Sequence, residues 1–221
     1  MSTTRLLVLG VVRIFQPVHG YFVRRELLSW DIERWANINP GSIYNALRSL
    51  TREGFLVESE ERPTDNRAHK PADRGAKQGR TSYRLTPDGQ NEFLALLRDA
   101  LWQVDQSDNS TLLGGLSFMT FLRRDEVVDA LETRADALRG LVSASQHTIR
   151  DFSERRAAPP HTAEHLLVTE HRWAGELDWC EQFLKRVRDG YYLFNPEPGW
   201  DSGPARDGTW PGPTDKPTSQ G

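Results

Sequence analysis

A single cysteine, Cys180, stands among the 221 residues, so no internal disulfide framework is available and a reducing, cytoplasmic setting is expected. Long hydrophobic runs are missing too. The longest, Leu6 to Val12, has an arginine at each end and falls far short of the roughly 20 residues that a membrane helix needs. Arg13 and the want of a small-residue cleavage site argue against a secretory signal, and no membrane partner is expected. The sequence has no Gly-rich phosphate loop, nucleophile elbow or paired zinc motif, so neither an enzyme nor a cofactor is expected. His161 and His165 lie four apart with His171 beyond them, but no cysteine or consistent carboxylate set accompanies them; metal binding is not expected. Cys180 reads as a small buried hydrophobe rather than a redox sensor.

What is present is enough for real cores: 37% of residues are hydrophobic and 27% charged, with a formal net charge of −3. The charge is uneven. Residues 1–95 carry 14 Lys/Arg against 11 Asp/Glu, whereas residues 96–221 carry 14 against 20. The stretch from Arg62 to Arg84 gathers seven basic side chains (Arg62, Arg67, Lys70, Arg74, Lys77, Arg80, Arg84) around two acids, Asp65 and Asp73. One concentrated basic strip on a mildly acidic chain suggests a local polyanion contact; a solvated loop is the plainer alternative.

Residues 5–15 read as a short buried helix, followed by a break at 17–20 and a helix over 21–30 with Phe22, Val23, Leu27 and Trp30 inward. Asn39-Pro40 reads as an N-cap with proline in the first helical position, and Gly54 as the residue that stops the helix. Strand candidates at 55–60 and 81–85 flank the basic loop, and Thr86-Pro87-Asp88 starts a helix that runs to about Val104. Helix, helix, helix, strand, loop, strand, helix is the winged helix-turn-helix plan. The expected division is a DNA-binding domain at 1–104, a linker at 105–111, a helical region at 112–194 and a flexible Pro/Gly-rich tail at 195–221. The fold class expected is mostly α, with a two-stranded wing and a coiled-coil-like C-terminal half.

Within that half, Leu112 to Leu122 reads as buried. The helix from 125 to 156 carries Val128, Leu131, Ala135, Leu138, Val142, Ser145, Ile149 and Phe152 at alternating gaps of three and four, a heptad seam. A third helix over 162–189 lines up Leu166, Trp173, Leu177, Cys180, Leu184 and Val187 on one stripe. These stripes need partners, within the chain as a helical hairpin and across a two-fold axis.

The 40–53 helix carries the chemistry. At 100° per residue Ile43, Ala46, Leu47 and Leu50 face inward, which leaves Gly41, Asn45, Arg48 and Arg52 outside, flanked by Ser42, Tyr44 and Ser49. Arg can fork onto guanine, Asn can pair with adenine, and Ser and Tyr hydroxyls can reach phosphates. The helix N-terminus adds backbone N–H groups and positive dipole. Lys and Arg of the loop would hold backbone phosphates or enter the minor groove.

His19-Gly20-Tyr21, Asn39-Pro40-Gly41-Ser42-Ile43-Tyr44 with Ala46, Leu47 and Leu50, then Glu53-Gly54-Phe55-Leu56, Tyr83-Arg84-Leu85-Thr86 and Gly89 together resemble the phenolic-acid-decarboxylase regulators, the PadR family, over residues 5–100. The resemblance implies a homodimeric transcription factor, usually a repressor, on a palindromic double-stranded DNA operator. It implies that Ser42, Tyr44, Asn45 and Arg48 contact DNA from the recognition helix. Tyr21 would lie near the backbone, and Arg67, Lys70, Arg74, Lys77 and Arg80 of the wing would complete the grip. The insert 62–80 is longer than the family's usual wing. Some members hold flat aromatic effectors at the dimer interface, for which Trp102 and Trp173 are candidates here; ordinary core packing is the alternative. A small-molecule-binding or protein-interaction helical dimer that uses the winged domain as scaffold is the rival function.

Overall fold

Every residue from Leu6 to Val12 is buried in helix α1 (Thr3–Phe15). A helix that is apolar all round has to be enclosed, and α1 is the axle on which the rest of the N-terminal half is mounted. The structure is a computed structural model that describes residues 3–59, 81–106, 108–155, 159–201 and 203. Around α1 lie β1 (Val18–His19), α2 (Gly20–Ser29), α3 (Ile32–Trp35), α4 (Pro40–Arg52), β2 (Leu56–Ser59), β3 (Ser82–Leu85) and α5 (Pro87–Trp102). This is a winged helix, as the order of elements predicts.

Two elements escape the sequence reading. The 17–20 break contains β1, which pairs antiparallel with β3 (Val18 opposite Tyr83), so the sheet has the order β1-β3-β2 rather than two strands. One turn of helix, α3, sits between α2 and α4. It is entered through Asp31 at φ 58° and left through Asn37 at φ 52°, the left-handed conformation that Asp and Asn tolerate best.

The expected caps form. Asn39 Oδ1 accepts from Ser42 N–H at 2.9 Å, and Thr86 Oγ1 accepts from Gly89 N–H at 3.0 Å. The second cap also fixes the wing. Thr86 N–H donates to the Phe55 carbonyl at 3.1 Å and its hydroxyl donates to the Gly54 carbonyl at 2.7 Å. The start of α5 thus lies directly on the turn that leads from α4 into β2. A Cβ on Gly89 would sit 2.0 Å from the Phe55 carbonyl oxygen, so that approach requires glycine.

The segment read as one buried stretch to Leu122 divides into α6 (Ser110–Leu116) and a 3₁₀ turn at Met119–Phe121. The reason is packing. Phe118 and Phe121 are turned into the winged core, each with its ring 5.6 Å from that of Phe93 of α5 and close to perpendicular to it, a favourable edge-to-face arrangement. Phe118 fills a notch over Gly10, where a Cβ would lie 2.2 Å from its ring.

Helices α7 (Arg124–Arg155) and α8 (Glu164–Arg188) form a hairpin. At 1.5 Å per residue α7 is about 48 Å long. Its seam faces α8: Leu131, Ala135, Leu138 and Ser145 are buried, and Val128, Val142, Ile149 and Phe152 are partly so. Arg139–Glu181 at 2.7 Å and Gln146–Glu170 at 2.9 Å cross between the helices, and Arg188 meets Glu132. Gly190, at φ 75°, closes α8, with Tyr191 N–H reaching back to the Arg186 carbonyl, a glycine C-terminal cap.

Beside the seam is a buried charge. Arg134, 1% exposed, grips Glu176 of α8 through Nε at 2.8 Å and Nη2 at 2.6 Å, and donates through Nη1 to the Gln103 carbonyl at the end of α5 at 2.7 Å. It pins the hairpin to the winged half.

Cys180 is fully buried, its thiol donating to the Leu131 carbonyl at 3.4 Å. Burial pushes the thiol up to about 11. Native protein at pH 8 is therefore expected to resist iodoacetamide, with rapid alkylation after unfolding; fast labelling of the folded chain would contradict the burial. The stabilising contribution of this thiol is complete below its ordinary value of 9.0 and is lost as pH rises through about 11.

The tail is not loose from its start. Residues 195–201, assigned by composition to a flexible tail, are seated on the protein. Asn195 N–H donates to the Thr120 carbonyl at 3.0 Å, and Trp200 lies edge-on to Phe121 at 5.5 Å. Residues 204–221 lie outside the described residues. No described helix is long and apolar enough to cross a membrane.

Candidate nucleic-acid interface

Helix α4 divides as its angular pattern requires. Ile43, Ala46, Leu47 and Leu50 are buried, while Tyr44, Asn45, Arg48 and Arg52 are exposed and Ser42 is half-exposed. The inward face anchors the helix to α1 and α2. The outward face is left with donors and acceptors.

These side chains are already partly ordered. Ser42 Oγ hydrogen-bonds Asn39 Oδ1 at 3.2 Å. Arg48 donates to Asn45 Oδ1, one turn back. Among the described residues no carboxylate forms an ion pair with Arg48. Arg52 differs: it donates to Ser49 Oγ at 3.1 Å, Ser49 donates to Glu53 Oε1 at 2.7 Å, and Arg5 meets Glu53 Oε2 at 2.8 Å. Hydrogen bonds from Ser49 and Arg5 hold the Glu53 carboxyl below its ordinary value, so that end of the helix is closer to neutral.

Next to α4 the aromatic residues gather. Gly20 packs between Tyr44 and Tyr83, each 3.5 Å from where its Cβ would be. Tyr21 follows it, 62% exposed. The Tyr83 phenol is pushed up, first by burial and then by Glu58, against the opposing pull of Arg48. Tyr21, Ser42, Tyr44, Asn45, Arg48 and Arg52 are thus placed on or beside one exposed surface. Tyr83, which the sequence places in a strand and in the family-like motif but not among the DNA contacts, belongs to its edge. The wing residues Arg67, Lys70, Arg74, Lys77 and Arg80, expected to contact DNA, lie outside the described residues.

The two effector candidates separate. An open cavity of about 370 Å³ lies between α6 and α8, walled by Leu112 and Leu116 on one side and Trp173 and Trp179 on the other, with Asp105 and Glu176 at its polar end. Trp173 lines it. Trp102 does not: it is partly buried against the core. Among the described residues no group of three His, Cys, Asp or Glu side chains could hold a metal ion.

With the polar face of α4, the β-hairpin and the Thr86–Phe55 junction in place, comparison with known proteins is informative. Residues 8–95 match the model of the transcriptional regulator PadR-like family. Over these residues the chain resembles that family. The match runs from within α1 to the middle of α5, and so contains α4, β2, β3 and the Thr86–Phe55 junction. Among solved structures, Bacillus subtilis PadR in complex with operator DNA is 19% identical, covering 83% of this chain and 98% of its own, with a TM-score of 0.35. The PadR-like regulator BC1756 of Bacillus cereus is 15% identical, over 84% of this chain and 98% of its own, with a TM-score of 0.33. Bacillus subtilis PadR in complex with p-coumaric acid is 18% identical, over 85% and 99%, with a TM-score of 0.32. No curated protein matches.

Proposed function

We propose that the chain is a homodimeric, sequence-specific transcriptional regulator, a ligand-responsive repressor on a palindromic operator, and not an enzyme. In this reading residues 1–104 bind DNA, 112–194 supply dimerisation and the effector site, and the cytoplasm is the place of work. The observation that carries it is the outward face of α4, with Tyr44, Asn45 and Arg48 exposed on a helix whose other face is fully buried. One such helix covers only a few base pairs, so two, related by a two-fold axis, are needed for a specific site. Affinity would come from phosphate contacts. A dimer that neutralises about eight phosphates should lose affinity with salt at a log–log slope near −7.

Arg48→Ala is the direct test. Footprinting on the DNA beside the protein's own reading frame would supply the site. The variant should then relax specificity at one operator position and cost about 1–3 kcal/mol per half-site. Equal weakening on operator and random DNA would make Arg48 a phosphate clamp instead. No operator protection at all, with a monomer in solution, would remove the reading.

The cavity beside Trp173 supports a small aromatic effector, since two indoles facing leucines with a polar end suit a flat amphipathic ligand. Quenching of tryptophan fluorescence by such a ligand, lost in Trp173→Ala, would check it. If ligand uptake were tight while DNA binding stayed weak and insensitive to salt, the winged domain would be only a scaffold.

A further inference from the structure

The segment after α8 makes contacts out of keeping with its composition. Phe194 is fully buried. Arg124, the first residue of α7, holds it in place: Nε and Nη2 form a fork onto Glu197 at 2.6 and 2.7 Å, Nη2 also reaches the Tyr192 carbonyl at 2.7 Å, and Nη1 reaches the Val187 carbonyl. The Arg124 guanidinium lies 4.9 Å from the Phe194 ring centre, and Phe194 N–H donates to Glu197 at 3.0 Å. A two-point fork of this kind fixes orientation as well as distance.

The far end of the segment touches the other half of the molecule. Trp200 abuts Phe121, which is set against Phe93 of α5 and lies under the Arg13 guanidinium of α1 at 4.5 Å. Gly203 comes to Ile14, near the end of α1. The strap therefore starts on the hairpin and ends on the winged half, with Phe121 clamped between them.

We propose that the strap Tyr191–Asp201 determines the spacing of DNA half-sites, with Glu197 and Trp200 as its positioning residues. If α7 and α8 carry the two-fold axis and α4 reads DNA, the separation of the two α4 helices depends on the angle between hairpin and winged half. Arg134 and the Arg98–Glu126 pair, at 2.8 Å, hold α7 to α5, and the strap adds a separate attachment where Phe121 meets α1 and α5. An attachment at a separate place resists a rotation that those on α5 alone leave freer. The proposal rests on the dimeric DNA-binding reading above.

The test uses the full chain and a randomised duplex library. Wild type should enrich symmetric sites with one spacer length. Trp200→Ala should enrich the same half-site with spacers spread over at least two lengths, while Trp200→Phe, which keeps a ring against Phe121, should retain one. In the absence of DNA, amide exchange over 119–124 and the end of α1 should quicken at least tenfold in Trp200→Ala. Should that variant fail to fold, Glu197→Gln, which weakens the fork without emptying a site in the core, is expected to give the same broadening to a smaller degree. A folded variant with unmoved spacing overturns the proposal alone. A wild type that enriches no symmetric site removes the reading beneath it, and the proposal with it.

Discussion

Arg134→Ala is expected to destabilise the chain by about 3–5 kcal/mol, read as a fall in the urea midpoint with little change in slope. The size follows from what is left behind. Glu176 is 10% exposed at its side chain, and its carboxylate would lose both guanidinium contacts without gaining much water. The Gln103 carbonyl would lose its donor as well. Most of the expected loss is thus the penalty of an uncompensated buried charge, not the strength of the pair. This leads to a second expectation from the same site. Replacing both partners by apolar residues, Arg134→Met with Glu176→Leu, should recover most of the loss. If the double variant were as unstable as the single one, the pair would be contributing directional hydrogen bonding that packing cannot replace. Either result bears on the proposed effector site, because Glu176 also lines the cavity between α6 and α8. A ligand there would touch the residue that holds Arg134 to the end of α5.

The second large effect is expected at Gly89. An alanine methyl would fall 2.0 Å from a backbone oxygen, and a backbone atom cannot rotate out of the way as a side chain can. Overpacking of this kind costs about 1–3 kcal/mol and sometimes more, and Gly89→Ala should reach or exceed the top of that range. The displacement would fall on the junction of α4, β2 and α5, so DNA affinity should drop further than stability alone accounts for. Comparing binding at a temperature where the variant is still fully folded separates the two. A variant with wild-type stability would mean that α5 can slide off Phe55 at little cost.

The parts of this molecule that were legible in its sequence are those set by short-range chemistry. Asn39 and Thr86 announce their helices because a side-chain oxygen three residues before a backbone N–H is a local arrangement. The division of α4 into buried and exposed faces follows from a period of 3.6 and four apolar residues. The gaps along α7 indicated a seam for the same reason. What stayed hidden depends on distant partners. Val18 and His19 are a strand only because Tyr83 and Ser82 lie opposite. Arg134 is one position away from the seam residue Ala135 and has the look of a surface arginine; only Glu176, 42 residues on, makes its burial tolerable. The strap has the proline and glycine content of a solvated tail, and its two anchors, Phe194 and Trp200, show no periodicity. Trp102 and Trp173 were chosen as aromatics in the right half. Nothing local distinguished the one that lines the cavity from the one that does not.

The notch at Gly10 has a practical consequence for anyone who would cut this protein into modules. Phe118 belongs by sequence to the second half but completes the interior of the first. Severing the chain in the polar stretch after α5 would leave a hollow the size of a benzene ring over α1, open to water. Any module cut from the first half of this molecule would need its boundary placed after Leu122, so that the plug stays with its socket.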